Sequence, residues 1–455
     1  MQPIRVETRR PLPWPPGPKG IPLLGSLFDF HRRPAQFLLD SARRYGDVVH
    51  YRLGLTDVFL ISHPDLIKDV LVTHQHQFLK GYGLQWAKQF LGEGLLTSEG
   101  EHHTRQRRLS QPAFHRERIA GYAKVMSDHA ARARGRWRDG AVLDLAQEMM
   151  QLTLAIVGQT LFDAKLESEA SAIGGAMKSI IALFYRFAVP FARTLNRLPL
   201  PSNVRFLRAK ARLDETIYRL IAERRREGTD RGDLLSMLLL ARDEQGDGRG
   251  MTDLQLRDEL MTLFLAGHET TANALTWTWY LLSSNPAAEA RLHAEVDALG
   301  DRIAGFDDLP RLAYTERVFA ETMRLYPPAW AVARRPISDY AIPGGGVARP
   351  GSSLVMSQYV VHRDPRYFPE PERFDPERWT PEARAARPKF SYFPFGGGAR
   401  QCIGESFAWM EGVLLIATIA QRWRFRLAPG HPVEPEPLIT LRPRYGMSMI
   451  AERRA

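Results

Sequence analysis

The only cysteine of the chain, Cys402, closes the run FGGGARQCIG (395–404). A free thiol has a pKa near about 8.5, so holding it ionised at neutral pH costs about 2 kcal/mol. The run after Gly404 reads as a helix, whose outward-pointing N–H groups favour an anion at its mouth, and a metal would supply the remainder. The glycines let the backbone turn tightly and approach a flat object closely. Arg400 lies two residues upstream, on the same side of an extended chain, and can reach a carboxylate of whatever the sulfur binds. A lone cysteine is otherwise a small buried hydrophobe. Its setting is what points to ligation.

A second reactive set is AGHETT (266–271), in the middle of a long apolar-periodic stretch. Ala266 and Gly267 are small and leave room against their face of a helix. A mid-helix glycine costs about 1 kcal/mol against alanine, so it calls for a reason. A carboxyl, Glu269, and a hydroxyl, Thr270, follow, and such a pair can relay protons. An ordinary helical threonine bonds to its own backbone instead. In ETMR (321–324), Glu321 and Arg324 share a helix face, and the neighbouring Phe319, Met323 and Leu325 predict partial burial.

These residues need elements to hold them. PLPWPPGPKGIPLLG (11–25) reads as an extended arm, within an N-terminal stretch of about thirty residues, and VVHYRLGLTDVFLIS (48–62) as a hairpin around Gly54. His63-Pro64 opens a short helix. From about 100 to 300 the spacing is helical: 143–162, 205–227, 233–243 and a long helix over 252–284, with Asn285-Pro286 starting the next. A further helix ends at Tyr326 before Pro327-Pro328. The pieces 341–356 and 362–379 read as β-like, one helix spans about 404–422, and the end is β-like again. The glycines of 74–96 suggest a loop. No internal repeat and no linker stands out, which predicts one domain over 1–455: a large, mainly α body with small β-sheets (α+β).

With 455 residues, 44% apolar and 25% charged, the chain is long enough to enclose a cofactor, and disordered or low-complexity classes are excluded. One cysteine excludes an intrachain disulfide and any multi-cysteine zinc or iron–sulfur site. The net charge of +11 is accompanied by no nucleic-acid-binding signature, so no nucleic-acid partner is expected. No stretch of about 18 uncharged apolar residues is present, which predicts no membrane span and a cytoplasmic protein.

Phe395, Gly398, Arg400, Cys402 and Gly404, together with AGHETT, ETMR, FDPERW and the proline arm PPGP (15–18), all in the same order, resemble the cytochromes P450 over about residues 11–450. The resemblance implies the P450 fold, a haem b cofactor and a thiolate ligand, Cys402, that pushes electron density toward bound dioxygen. It implies that Phe395 shields the sulfur and that Ala266 and Gly267 border the oxygen site. Thr270 and Glu269 would then carry the protons. Arg378, rather than Arg373, joins Glu321 and Arg324 in a buried network. Arg334, with Arg335 as the alternative, and Arg400 hold the haem propionates; His103, with His102 as the alternative, and Arg107 also belong to this set.

The same resemblance places a distal roof in 74–96 and 176–191. Phe78, Tyr82, Leu84, Trp86 and Phe90 are its candidate pocket residues, joined by Ala266, Trp330 and Val332. The expected activity is insertion of one oxygen atom of O₂ into a fatty acid, terpenoid or steroid-like molecule. The chain ends about 50 residues after Cys402, so the expected electron source is a separate ferredoxin or flavodoxin and its reductase, with NAD(P)H used only indirectly. Arg105, Arg107 and Arg108 are candidates to steer that acidic partner. A monomer is expected. Alternatives are a non-catalytic haem sensor, which needs no proton pair, and a peroxide-driven enzyme, which often replaces it.

Overall fold

In the computed structural model, residues 14–163 and 200–454 are described. The stretch 176–191, expected in the distal roof, lies outside them. The main sheet has five strands: β1 (Val48–Leu53), β2 (Thr56–Ile61), β3 (Phe78–Lys80), β4 (Val332–Pro336) and β5 (Ser353–Met356). Their spatial order is β1-β2-β5-β4-β3, with only the β2–β5 pair parallel. The expected hairpin is β1–β2, turning at Gly54 and Leu55. Smaller sheets include one of Val142–Asp144, Trp423–Leu427 and Ser448–Arg453.

The helical body contains α1 (Tyr82–Leu91), α2 (Gly100–Ser110), α3 (Leu145–Phe162), α4 (Pro201–Glu227), α5 (Asp253–Ser283), α6 (Ala313–Leu325) and α7 (Glu405–Ala420). Two readings of the sequence are corrected. The stretch 74–96 is not a loop: its glycines bound α1, with Gly81 before it and Gly92 after it at φ +69°. The stretch 362–379 forms no strand; it runs through turns into a 3₁₀ helix, Pro376–Trp379, because its prolines cannot donate to a ladder.

Helix α5 is the axis of the molecule. Thr252 caps it, its hydroxyl accepting from Gln255 N at 3.3 Å while Gln255 Oε1 accepts from Thr252 N at 2.9 Å. It is buried almost all round, as expected of a helix through the centre of a large core. Leu275, Trp277 and Trp279 enter the largest apolar cluster with Phe319, Leu414, Leu415 and Phe425. On its other side Leu260, Met261 and Phe264 pack with Leu154, Val157 and Phe90. Gly267 allows this approach: a Cβ there would meet Val157 Cγ2 at 3.3 Å. The mid-helix glycine therefore has a helix-packing reason against α3, in addition to any at the oxygen site.

The stretch before Cys402 is fixed by a buried charge network. Glu321 and Arg324 are fully buried and paired at 2.8 Å, a deeper burial than the sequence suggested. Arg324 also donates to the carbonyls of His362 (2.8 Å), Pro371 (2.6 Å) and Arg373 (3.0 Å). Glu321 accepts from Asp375 N and from Trp379 Nε1, each at 2.9 Å. Arg378 approaches Glu321 at 3.4 Å and donates to the Glu370 carbonyl, whereas Arg373 pairs with exposed Glu370 and joins the network only through its carbonyl. From α6, Ala320 O accepts the Tyr392 hydroxyl at 3.1 Å, which ties in the segment leading to the glycines.

A second buried carboxyl, Glu411, lies on α7 near Thr271 of α5. Burial pushes its pKa up to about 8 against the pull of that hydroxyl, and neither carboxyl oxygen has a well-formed hydrogen bond. Truncating Arg324 to Met leaves Glu321 buried and unpaired, with an expected loss of about 3–5 kcal/mol in chemical denaturation; Arg378→Met costs less, because Arg378 only flanks the pair. For Glu411, the folded state holds a proton that the unfolded chain has released above about pH 4.5. Its contribution to stability therefore falls by about 1.4 kcal/mol per unit from there to about pH 8 and is then flat. Glu411→Gln should flatten the decline of melting temperature across that range.

Candidate functional site

The backbone presents Cys402 through a strained-looking but well-bonded loop. Cys402 N donates to the Phe395 carbonyl at 3.0 Å and Gly396 N to the Phe393 carbonyl at 2.9 Å, closing a tight hairpin-like turn. Gly398 has φ +69°, and a Cβ there would lie 1.9 Å from the Leu71 carbonyl oxygen. Two residues after the cysteine, Gly404 caps α7 and its N–H acts on the thiol. The glycines thus serve close approach to the protein's own chain, which positions the sulfur. The Phe395 ring packs on Trp409 at 5.9 Å.

Cys402 is accessible to solvent within its tightly bonded loop. Burial pushes its thiol pKa up; the Gly404 N–H and the Arg107 guanidinium act in the opposite direction. Its neighbour Ile403 packs on the same apolar cluster as Leu263, Phe264 and Leu265 of α5. On α5, Ala266 is exposed and Thr270 half-buried, while Leu263, Phe264 and His268 are buried. Ala266 and Thr270 lie one turn apart, so one stripe of the central helix opens onto interior space.

Beside this space lies an unusual concentration of positive charge. Lys80 of β3 and Arg334 of β4 are direct cross-strand partners, and both are buried. Like charges opposite one another in a sheet repel. Arg400 acts on both of them, burial and that repulsion hold the Lys80 pKa well below normal, and Arg334 falls to about 10. His103 of α2 is buried and pushed down to about 3, by burial and then by Arg400, Lys80 and Arg107, so it is neutral at physiological pH. It is an N–H donor there, not a cation.

The counter-charge is Glu99, which accepts from Arg400 Nη2 at 2.5 Å, Lys80 N at 2.7 Å and Gln85 Nε2 at 3.1 Å. Three cations thus share Glu99, and only Lys80 also feels Glu259; the positive excess is one that the carboxylates of a bound group would balance. The Arg334 side chain donates to the adjacent Ala333 carbonyl at 3.0 Å, which leaves it donors to spare. A solvent-reachable thiol, an open small-residue stripe and a pocket with an excess of cations fit a haem with its two propionates. Lys80 was not singled out by the sequence, because a lysine in a three-residue strand carries no spacing signal; its partner strand, 250 residues away, gives it its place.

Other candidates stand elsewhere. Arg107 donates to the Gln401 carbonyl at 2.6 Å and to Gln111 at 3.0 Å, so it braces the cysteine loop. His102 reaches the Glu93 carbonyl, and Arg335 lies over the Tyr82 ring while donating to Lys80 O. Arg105 and Arg108 are not free to steer a partner: both pair with buried Asp243, Arg108 at 2.9 Å through two nitrogens. Glu269 is not a solvent-fed carboxylate. It is buried, accepts from the Thr440 hydroxyl at 2.6 Å, and burial raises its pKa. Thr270 donates to the Ala266 carbonyl at 2.6 Å, the ordinary back-bond of a helical threonine.

Among the pocket candidates, Phe78 belongs to the sheet core against Tyr340, and Phe90 packs on Phe206. Tyr82 donates to the Gly351 carbonyl, and Leu84 and Trp86 are half-buried on α1. Trp330 donates to the Leu438 carbonyl at 2.8 Å, and Val332 is half-buried on β4.

The family profile described as Cytochrome P450 matches residues 15–448. The chain is 44% identical to cyclooctatin synthase of Streptomyces melanosporofaciens over 93% of this chain and 92% of that protein. It is 39% identical to cyclooctat-9-en-7-ol 5-monooxygenase of the same organism (92% and 91%) and 37% identical to pentalenene oxygenase of Streptomyces avermitilis (93% and 94%). Among solved structures it is similar to a cytochrome P450DA heme domain, with a TM-score of 0.88 at 26% identity covering 98% of this chain and 99% of that one. A retinoic acid bound cyanobacterial CYP120A1 gives 0.87 at 26% identity, covering 98% and 100%. With the cysteine loop, the central helix and the buried Glu-Arg network in the family's order, the chain belongs to the cytochrome P450 family, two of whose members named here are called a monooxygenase and an oxygenase.

Proposed function

We propose that this P450 oxygenates a polycyclic terpenoid, placing one atom of O₂ on a C–H or C=C bond, with electrons delivered by a separate ferredoxin or flavodoxin and its NAD(P)H-dependent reductase. The observation that carries the substrate class is the set of relatives at 37–44% identity over more than nine-tenths of the chain, whose names specify cyclooctatin, cyclooctat-9-en-7-ol and pentalenene. The remainder of the chemistry follows from the site.

Cys402 would hold the haem iron, with the Gly404 N–H and Arg107 offsetting the sulfur's charge. Lys80, Arg334 and Arg400 would neutralise the two propionates, and neutral His103 would offer them an N–H. When bound, the haem iron supplies the activation of dioxygen. Ala266 keeps the central helix low enough to admit substrate. Thr270 holds its proton on the Ala266 carbonyl until an acceptor in the cavity takes the hydrogen bond. Glu269 positions the helix through Thr440, which also accepts from Asn273 at 3.0 Å. Half-buried Leu84, Trp86 and Val332 select a compact apolar shape.

The purified protein should show a thiolate-type carbon monoxide difference spectrum that Cys402→Ser abolishes. Polycyclic diterpenes and sesquiterpenes should convert its Soret band from low to high spin, and ¹⁸O₂ turnover should label one product oxygen. A spin shift with long-chain fatty acids or steroids and none with terpenes would refute the substrate assignment while leaving the P450 chemistry intact.

A further inference from the structure

The segment 92–99 is pinned from two sides. From α5, Asp258 accepts the Glu93 N–H at 2.7 Å and Glu259 Oε2 accepts the Leu95 N–H at 3.0 Å. From the cation pocket, Lys80 Nζ donates to the carbonyls of Leu95 (3.1 Å) and Leu96, and Arg400 to that of Ser98 at 2.7 Å. Leu95 therefore links Glu259 through its N–H to Lys80 through its carbonyl.

Glu259 is fully buried, yet its Oε1 has no partner. Gln106 of α2 faces it without a well-formed hydrogen bond at either amide atom; the hydroxyls of Ser98, Ser110 and Thr262 are also buried and unpartnered. Together they make a polar seam between α2, α5 and the 92–99 segment, of a kind that buried water fills. The charged groups acting on Glu259 are Asp258 on its own helix and Lys80 from β3; α2 offers uncharged Gln106, and the 92–99 segment the Leu95 N–H. Burial, reinforced by Asp258, brings its pKa up to about 7 against the Leu95 N–H, Gln106 and Lys80.

By contrast, both oxygens of Glu99 are engaged in hydrogen bonds, and His103 stays neutral throughout the physiological range. We propose that Glu259 is the proton-accepting partner of the haem electron. When an external one-electron carrier reduces the ferric iron to ferrous, one proton from solvent forms an O–H bond at Glu259 Oε1. The added negative charge on the haem is thereby compensated through Lys80 and the Leu95 peptide. Glu259 touches neither haem nor substrate; it is a positioning residue for charge. The proposal rests on the P450 reading above.

Spectroelectrochemical titration of the holoenzyme with redox mediators, from about pH 6 to 9 around the carboxyl's pKa, tests it. The wild-type midpoint potential should fall as pH rises through neutrality, because protons are bound on reduction. Glu259→Gln keeps an oxygen for the Leu95 N–H but cannot titrate, and should give a flat line with an unaltered carbon monoxide spectrum. Lys80→Met is an independent variant: removing the cation raises the proton affinity of Glu259, so the bend in the curve moves to higher pH. A flat wild-type line, a Glu259→Gln slope equal to that of wild type, or an unmoved bend in Lys80→Met would overturn the proposal. Failure of the P450 reading would show separately, as absence of the thiolate–haem spectrum before any titration.

Discussion

Positive charge held away from water is the constraint around which the site is built. Lys80 and Arg334 stand opposite each other in a sheet, with Arg400 acting on both and Glu99 shared among them, while Glu259 acts on Lys80 as well. Interactions between unit charges are several-fold stronger in such surroundings than in water. The arrangement is tolerable only because every cation also donates to backbone carbonyls, and it is satisfied when a dianionic group enters. A cofactor bearing two carboxylates would be held there as much by the repulsion it relieves as by the bonds it makes. The neutral state of His103 is a direct consequence of the same field.

The scaffold converts this pocket into a defined geometry relative to the sulfur. Arg400 is two residues from Cys402, and its grip on Ser98 and Glu99 fastens the cysteine loop to the segment that α5 holds from the other side. The Glu321–Arg324 pair fixes the chain entering that loop, and Gly398 sets it flush against the Leu71 carbonyl. The cysteine loop, the cation pocket and the central helix are thus coupled through short covalent stretches and charged hydrogen bonds, buried or half-buried and costly to break.

The sequence made much of this legible. The cysteine run, the helix spacing of 252–284 and the hairpin at 48–62 are local patterns, and the elements appear where they were expected. The Glu321–Arg324 pair was visible as an (i, i+3) spacing. What stayed hidden depends on distant partners. Lys80 gains meaning only opposite Arg334, and Glu259 only beneath Leu95. Arg105 and Arg108 read as free surface charge because nothing in their own stretch announces Asp243, 135 residues from Arg108. Glu269 was assigned by its neighbour Thr270, yet adjacent helical residues point about 100° apart, and its carboxyl meets Thr440 instead. Phe78 and Phe90 share the apolar character of a cavity lining, and composition alone does not distinguish a wall from the core behind it.

The strand that carries Lys80 also forms one border of the sheet. Strand β3 is three residues long, and at such a border unpaired backbone groups can recruit a foreign strand; here Glu99 takes the Lys80 N–H and Arg335 the Lys80 carbonyl. Brevity and an inward-pointing charge are two of the devices by which proteins discourage such recruitment, and this strand has both. The same lysine, turned inward among the other cations, thus also shields the border of the sheet from pairing with a second copy of the chain.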